Sequence, residues 1–277
     1  MPLRTAIAVL FALASVGAGS GGGPARAAQP ALVHCRILRV DLRAYALGSN
    51  QLRYRGLHVQ QLEGHVQRME DRFTDAESRT VLRAVTRYRA ADLTPVDYEM
   101  HLPLTGHAEW LHKEGDRVVL RVRAQASASI ESDTLPLTPH AQFAATLPLY
   151  MLRHWDALMA GQRLDVSLLV PSRTDRYAFH LLHEAESPAG GPGRVVIRMD
   201  SDSLLVRQVV DPVRFVFESR PPHRLLETRG RTPIRDEDGA VQRLRIEYHY
   251  RDGCLTGGPD ASAEKPPATT PDTATSR

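Results

Sequence analysis

The residues able to do chemistry stand in a few short clusters. His180-Leu181-Leu182-His183-Glu184 brings two imidazoles and a carboxylate into five positions. On a helix that spacing would put both imidazoles on one face, where they could share a metal ion. Tyr177-Ala178-Phe179 before them reads as a strand, and a strand sends His180 and His183 to opposite faces. They are expected as surface or rim histidines, with no metal. His101, His107 and His112 are spread over a predicted hairpin and make no compact ligand set. Asp236, Asp238 and Gly239 match a fragment of a calcium loop, but the other ligands of the twelve-residue pattern are missing, so the segment reads as a turn.

Asp200 and Asp202 could serve paired-acid hydrolysis if they faced a cleft. Their setting, Met199-Asp200-Ser201-Asp202-Ser203, reads instead as a polar turn. His154, beside Trp155 and Asp156 on a predicted helix, falls next to an apolar face, which suits a partly buried, hydrogen-bonded histidine. Nucleophile-elbow, zinc-protease, phosphate-loop and dinucleotide fingerprints do not occur. No cofactor and no catalytic residue is assigned.

The start of the chain is more explicit. Arg4 precedes an apolar run from Ala6 to Val16, then a Gly-rich stretch and Ala25-Arg26-Ala27-Ala28. A basic start, a short apolar core and a small-residue exit describe a secretory signal peptide, here residues 1–28. The run falls short of the roughly 20 residues that span a bilayer, so no transmembrane segment is expected after cleavage. The expected destination is the periplasm or the exterior. Lys+Arg number 35 against 32 Asp+Glu, and losing Arg4 and Arg26 leaves 33 against 32. Near-neutrality argues against nucleic acid as a partner.

Cys35 and Cys254 are the two cysteines, near opposite ends of the expected folded region, 32–254. In an oxidising compartment they suggest a disulfide tying the first strand to the last, a closure on the order of 4–5 kcal/mol in the chain-entropy view. Two buried thiols are the alternative. Lipidation of Cys35 is disfavoured, because bulky His34 precedes it. Residues 256–277, rich in Gly, Pro, Ala and Thr, read as a disordered tail.

These residues need elements to hold them. Arg117 to Arg123, Val213 to Glu218 and Leu244 to Tyr250 alternate apolar and polar side chains, the mark of half-buried antiparallel strands. Glu114-Gly115-Asp116, Gly190-Gly191-Pro192-Gly193 and Asp236-Glu237-Asp238-Gly239 mark turns between them. Val59 to Phe73 shows some helical spacing, yet it follows a strand at Gln51–Tyr54 and contains Gly64, so strand is expected. One helix is predicted over Pro148–Ala160, capped by Thr146 and ended by Gly161. The fold class is therefore mainly β: an antiparallel sheet curved into a half-barrel with one packed helix. If the sheet curls round the helix, Leu149, Leu152, Trp155 and Met159 meet Phe215 and Phe217. Those six are the candidate ligand-binding residues, though an ordinary core would use the same residue types.

The C-terminal half also carries a resemblance. In order come His154-Trp155-Asp156-Ala157-Leu158 with Gly161, Leu168 to Arg173, Tyr177 to Phe179, Asp202 to Leu205, Val210 to Val213, and Leu225 to Asp236 followed by an Ile-x-Tyr strand. This pattern resembles uncharacterised bacterial secreted proteins. They in turn look similar to the lipoprotein-localisation carriers, curved half-barrels of the Gram-negative envelope. The resemblance spans about residues 143–250 and implies a fold, not an activity. Three functions remain open: a non-enzymatic exported protein binding a lipid, acyl chain or other apolar molecule, an envelope scaffold with a protein partner, and a hydrolase with a dispersed site around His154, His180 or Asp202.

Overall fold

A computed structural model describes residues 37–138, 141–187, 189–202, 211–236 and 238–251. Residues 1–28, read above as a signal peptide, residues 256–277, Cys35 and Cys254 lie outside the described residues. The first eight strands are β1 (Ile37–Ala46), β2 (Leu52–Glu63), β3 (Val66–Thr74), β4 (Thr80–Arg89), β5 (Pro95–Leu102), β6 (His107–Glu114), β7 (Arg117–Arg123) and β8 (Ile130–Pro136). Each pairs antiparallel with the next. After the short β9 (Ala141–Phe143) come a 3-10 turn and two helical pieces, α1 (Leu147–Arg153) and α2 (Trp155–Met159). A second meander follows: β10 (Leu164–Val170), β11 (Asp175–His183), β12 (Arg194–Ser201), β13 (Val213–Glu218), β14 (Leu225–Arg235) and β15 (Val241–Tyr250). β15 pairs antiparallel with β1, and β9 pairs parallel with β10. The result is one sheet of 15 strands with β1 and β15 near its middle and β8 and β9 at its ends.

The connectivity forces that sheet to curl. Laid flat, 15 strands at the usual inter-strand spacing would hold its ends about 65 Å apart. Yet β8 ends at Pro136 and β9 starts at Ala141, a link that reaches at most about 18 Å. The closure is visible in the hydrogen bonds. Arg176 of β11 donates from Nη1 to the Pro136 carbonyl at 3.2 Å. The turn Pro171–Arg173 packs on β6 and β7.

The β9–β10 end is tucked inside the first meander. Ala141, Phe143 and Leu169 share a core with Met100, Leu111 and Leu120. Phe143 lies against Tyr98 with ring centroids 4.3 Å apart. Within this half, His107 and Glu109 form a buried pair on β6, Nε2 to Oε1 2.8 Å. The second core sets Leu147, Met151, Leu152 and Leu158 of the helical segment against Leu181, Ile197, Phe215 and Phe217. Leu149 and Tyr150 also touch Met69, Tyr88 and Leu93, so α1 bridges the two halves. Arg153 fastens it there, donating to the carbonyls of Ala90 (2.5 Å) and Ala91 (3.0 Å) in the β4–β5 turn.

The mainly β reading, the strands over Val59 to Phe73 and the turns at residues 114–116 and 190–193 are present. The helix differs. It breaks at His154, whose φ of −110° and ψ of 25° leave the helical region, and it starts at Leu147. Thr146 occupies the cap position, but its hydroxyl donates back to the Phe143 carbonyl at 3.0 Å and makes no side-chain cap. His154 is exposed and not partly buried, with its ring 4.5 Å from that of Tyr150. Gly161, at φ +77°, ends the segment as its sequence position suggested.

Candidate functional site

Strand alternation decides which side chains look into the curl. On β13, Val213, Phe215 and Phe217 face inward, while Val216 packs outward with Ala189 and Val196. On β15 the inward set is Leu244, Ile246, Tyr248 and Tyr250, and β1 adds Leu38 and Val40. Against these lie Leu147, Pro148, Leu149 and Leu152. The two surfaces do not meet fully, and a cavity of ≈ 380 Å³ remains between them. That volume lies within the range of small-molecule sites, roughly 300–1,000 Å³.

The cavity is mostly apolar; Thr228, Arg229, Arg231 and Thr232 of β14 line one part of it, and a polar floor lines another. There β2 and β3 place His58 opposite Asp71 in direct register, with Nδ1 and Oδ1 2.8 Å apart. Gln60, two residues along β2, donates from Nε2 to the Tyr88 hydroxyl at 3.1 Å. Burial opposes a charge on His58. The carboxylate of Asp71, through its charge and hydrogen bond, and Gln60 outweigh it, so the His58 pKa is held above its ordinary value. Tyr248 is pushed above the usual phenol range by burial, with the Asp71 charge adding to the shift. Among the described lining residues there is no serine, cysteine or lysine. The chemistry on offer is burial of apolar matter beside the His58–Asp71 pair and the polar residues of β14.

Beyond Asp71 and Tyr248 lies a smaller cavity of ≈ 180 Å³, lined by Phe73, Leu82, Ala84, Met100 and Phe143. Asp71, Ala144, Ala145, Thr232, Pro233, Ile246 and Tyr248 border both.

Four of the six candidate ligand residues, Leu149, Leu152, Phe215 and Phe217, line the larger cavity, whereas Trp155 and Met159 do not. The break at His154 is the reason, since residues after it no longer continue the face of Leu149 and Leu152. Trp155 sits behind the wall, edge-on to Phe217 (centroids 5.6 Å) and stacked on His223 (4.1 Å). The polar floor was not singled out from sequence. Its signal is the set Tyr54, Gly56, His58 and Gln60, which share the inward face of β2 without an aliphatic residue.

The acids expected in a turn belong elsewhere. Asp200 is within β12, opposite His180 of β11, and Asp202 follows directly. His180 is buried with Nδ1 2.6 Å from Asp202 Oδ1. That carboxylate also accepts from Arg163 Nη2 at 2.7 Å, and Asp200 lies 2.8 Å from Arg198 Nε. Because Leu181 faces the core, this network lies on the outer surface. Glu184 joins it with two bonds from Arg214, at 2.7 and 3.1 Å, which hold its carboxyl below the usual range. An open groove on the outer face of β5–β7 is lined by Arg87, Asp97, Glu99, Trp110, His112 and Arg121, and within it His112 pairs with Asp97 at 2.5 Å. No group of three His, Cys, Asp or Glu among the described residues is placed to hold a metal ion.

No family model matches the chain, and no curated protein matches it. A solved structure is similar in form. It is a β-barrel-like protein of the domain of unknown function DUF1849 from Brucella abortus. The two share 12% identity over 79% of this chain and 99% of the other, with a TM-score of 0.44. The likeness to the lipoprotein-localisation carriers therefore rests on the sequence pattern alone. Among the described residues, no helix is long and apolar enough to cross a membrane.

Proposed function

We propose that this is an exported, non-enzymatic protein of the periplasm or exterior that binds an apolar molecule, a lipid or acyl chain, between α1 and the curled sheet. The ≈ 380 Å³ cavity carries the reading: its walls are mostly aliphatic and aromatic, with polar groups on the β2–β3 floor and at Thr228, Arg229, Arg231 and Thr232 of β14. Such an arrangement buries a hydrocarbon and orients it by its polar end. The signal-like residues 1–28 support export.

Native mass spectrometry of the mature protein, followed by organic extraction and lipid analysis, tests this directly. A discrete added mass that leaves on extraction is the expected result. A bare mass that stays bare after incubation with vesicles and fatty acids would overturn it. A scaffold role has one observation in its favour, the open edge of β8, where Ile130 is 54% exposed. One stoichiometric partner lost when Ile130→Lys is introduced would support that role.

A further inference from the structure

We propose that the interior is shaped for one molecule with two unequal apolar arms joined at a polar centre, a diacylglycerol-type lipid, and not for a single chain. This rests on the reading that the interior holds a ligand at all.

The argument starts from the border between the two cavities. The larger lobe, ≈ 380 Å³, and the smaller, ≈ 180 Å³, are each lined mostly by apolar residues. Their walls come from different elements: Phe215, Phe217 and Leu149 for the first, and Leu82, Ala84 and Met100 for the second. What they share on the sheet side is Asp71, Thr232, Pro233, Ile246 and Tyr248, three of them polar, and on the helix side Ala144 and Ala145. On the helix side the septum is only two methyl groups high, low enough for a bent molecule to straddle. Ala144 is also exposed, so a group seated on the septum reaches solvent while its arms run inward on either side.

The chemistry of that centre follows from the two floor residues. The Tyr248 hydroxyl stays protonated, since burial pushes its pKa up, and it can donate to an ester oxygen. The Asp71 carboxylate can accept from a hydroxyl on the same centre. A single chain would fill one lobe and leave the other apolar space empty. A glycerol backbone with two acyl arms uses both lobes and both floor groups.

The full mature chain is titrated with dioctanoylglycerol and with monooctanoylglycerol by native mass spectrometry and calorimetry. The wild type is expected to hold the two-armed ligand at least about tenfold more tightly, a ratio equal to ~1.4 kcal/mol. Ala84→Phe fills the smaller lobe from a position that does not border the larger one. It is expected to remove that advantage while leaving monooctanoylglycerol affinity unchanged. Ala84→Leu should give an intermediate loss and serves if the phenylalanine variant does not fold, with a cooperative thermal melt as the control for both. Equal wild-type affinities, or an advantage that survives Ala84→Phe and Ala84→Leu, would overturn the two-armed reading and leave ligand binding standing. Failure of the wild type to bind either compound would overturn both.

Discussion

Phe217 is the residue whose removal tests the packing around the cavity most sharply. Its side chain is fully buried, opposite Val195 on β12 and Leu225 on β14, with Trp155 edge-on behind it. Replacing a buried phenylalanine by alanine costs about 3–5 kcal/mol, and an edge-to-face ring pair accounts for roughly 0.5–1.5 of that. Here one side of the ring borders space that is already empty. Truncation therefore enlarges an existing void and forfeits contacts on the remaining sides only. The cost should fall near the low end, about 3 kcal/mol. For a chain of this size that corresponds to a Tm lower by about 6–12 °C. Urea denaturation followed by tryptophan fluorescence measures it, because Trp155 reports on the ring it has lost. Binding of an apolar fluorescent probe should rise in the same variant. A loss below ~1 kcal/mol would show that the ring does not hold the wall, and the cavity geometry would fall with it.

Other residues give equally definite expectations. The His58 pKa is raised in the folded state, so its stabilising contribution is fully present below its unfolded value of about 6.5 and is lost as pH rises through the folded value. The stability gap between wild type and His58→Gln should therefore be larger near about pH 5.5 than near about pH 9; a gap that grows with pH refutes the pairing. A Cβ at Gly56 would lie 2.8 Å from both the Phe73 ring and the Arg72 carbonyl, so Gly56→Ala should cost about 1–3 kcal/mol in chemical denaturation, and a neutral result would contradict the packing. Arg153→Ala strips the bonds to Ala90 and Ala91, and hydrogen exchange in α1 should quicken while the sheet stays protected. Arg251, the described residue nearest Cys254 in sequence, donates from N to Arg39 O at 3.5 Å. The mature protein is expected to weigh two hydrogens less than its reduced form, and free-thiol labelling of both cysteines under native conditions would sink the disulfide.

The sequence discloses local structure far better than closure. Val213, Phe215 and Phe217 alternate with Arg214, Val216 and Glu218, and that pattern is enough to place a half-buried strand. Gly115 and Gly239, at φ +61° and +81°, mark hairpins that only their immediate neighbours need to define. Closure depends on distant partners. Nothing local to β1 states that it pairs with β15, and nothing local to β8 states that the sheet turns back on itself. The same limit hid the cavity floor. His58 and Asp71 are thirteen residues apart and become neighbours through the β2–β3 register. The helix break was obscured for a different reason. Leu149, Leu152, Trp155 and Met159 keep helical spacing, yet His154 takes the chain out of the helix between the second and the third. Asp200 and Asp202 looked like turn residues because their partners, Arg198 apart, lie far away in sequence, His180 on β11 and Arg163 just before β10.

The seam between β1 and β15 has a consequence for how the chain is made. Every other antiparallel pair joins strands that follow one another in sequence, so each meander can assemble as it emerges. β1, which ends at Ala46, must wait for a strand that ends at Tyr250. At typical rates of synthesis that is a delay of about 10–40 s. Throughout it, the edge of β1 that β15 will cover is open to any other strand, including that of a second nascent copy. The step that fuses two hairpin ladders into one wall is thus also the moment of greatest exposure to misassembly, and it cannot begin until the strand ending at Tyr250 has been made.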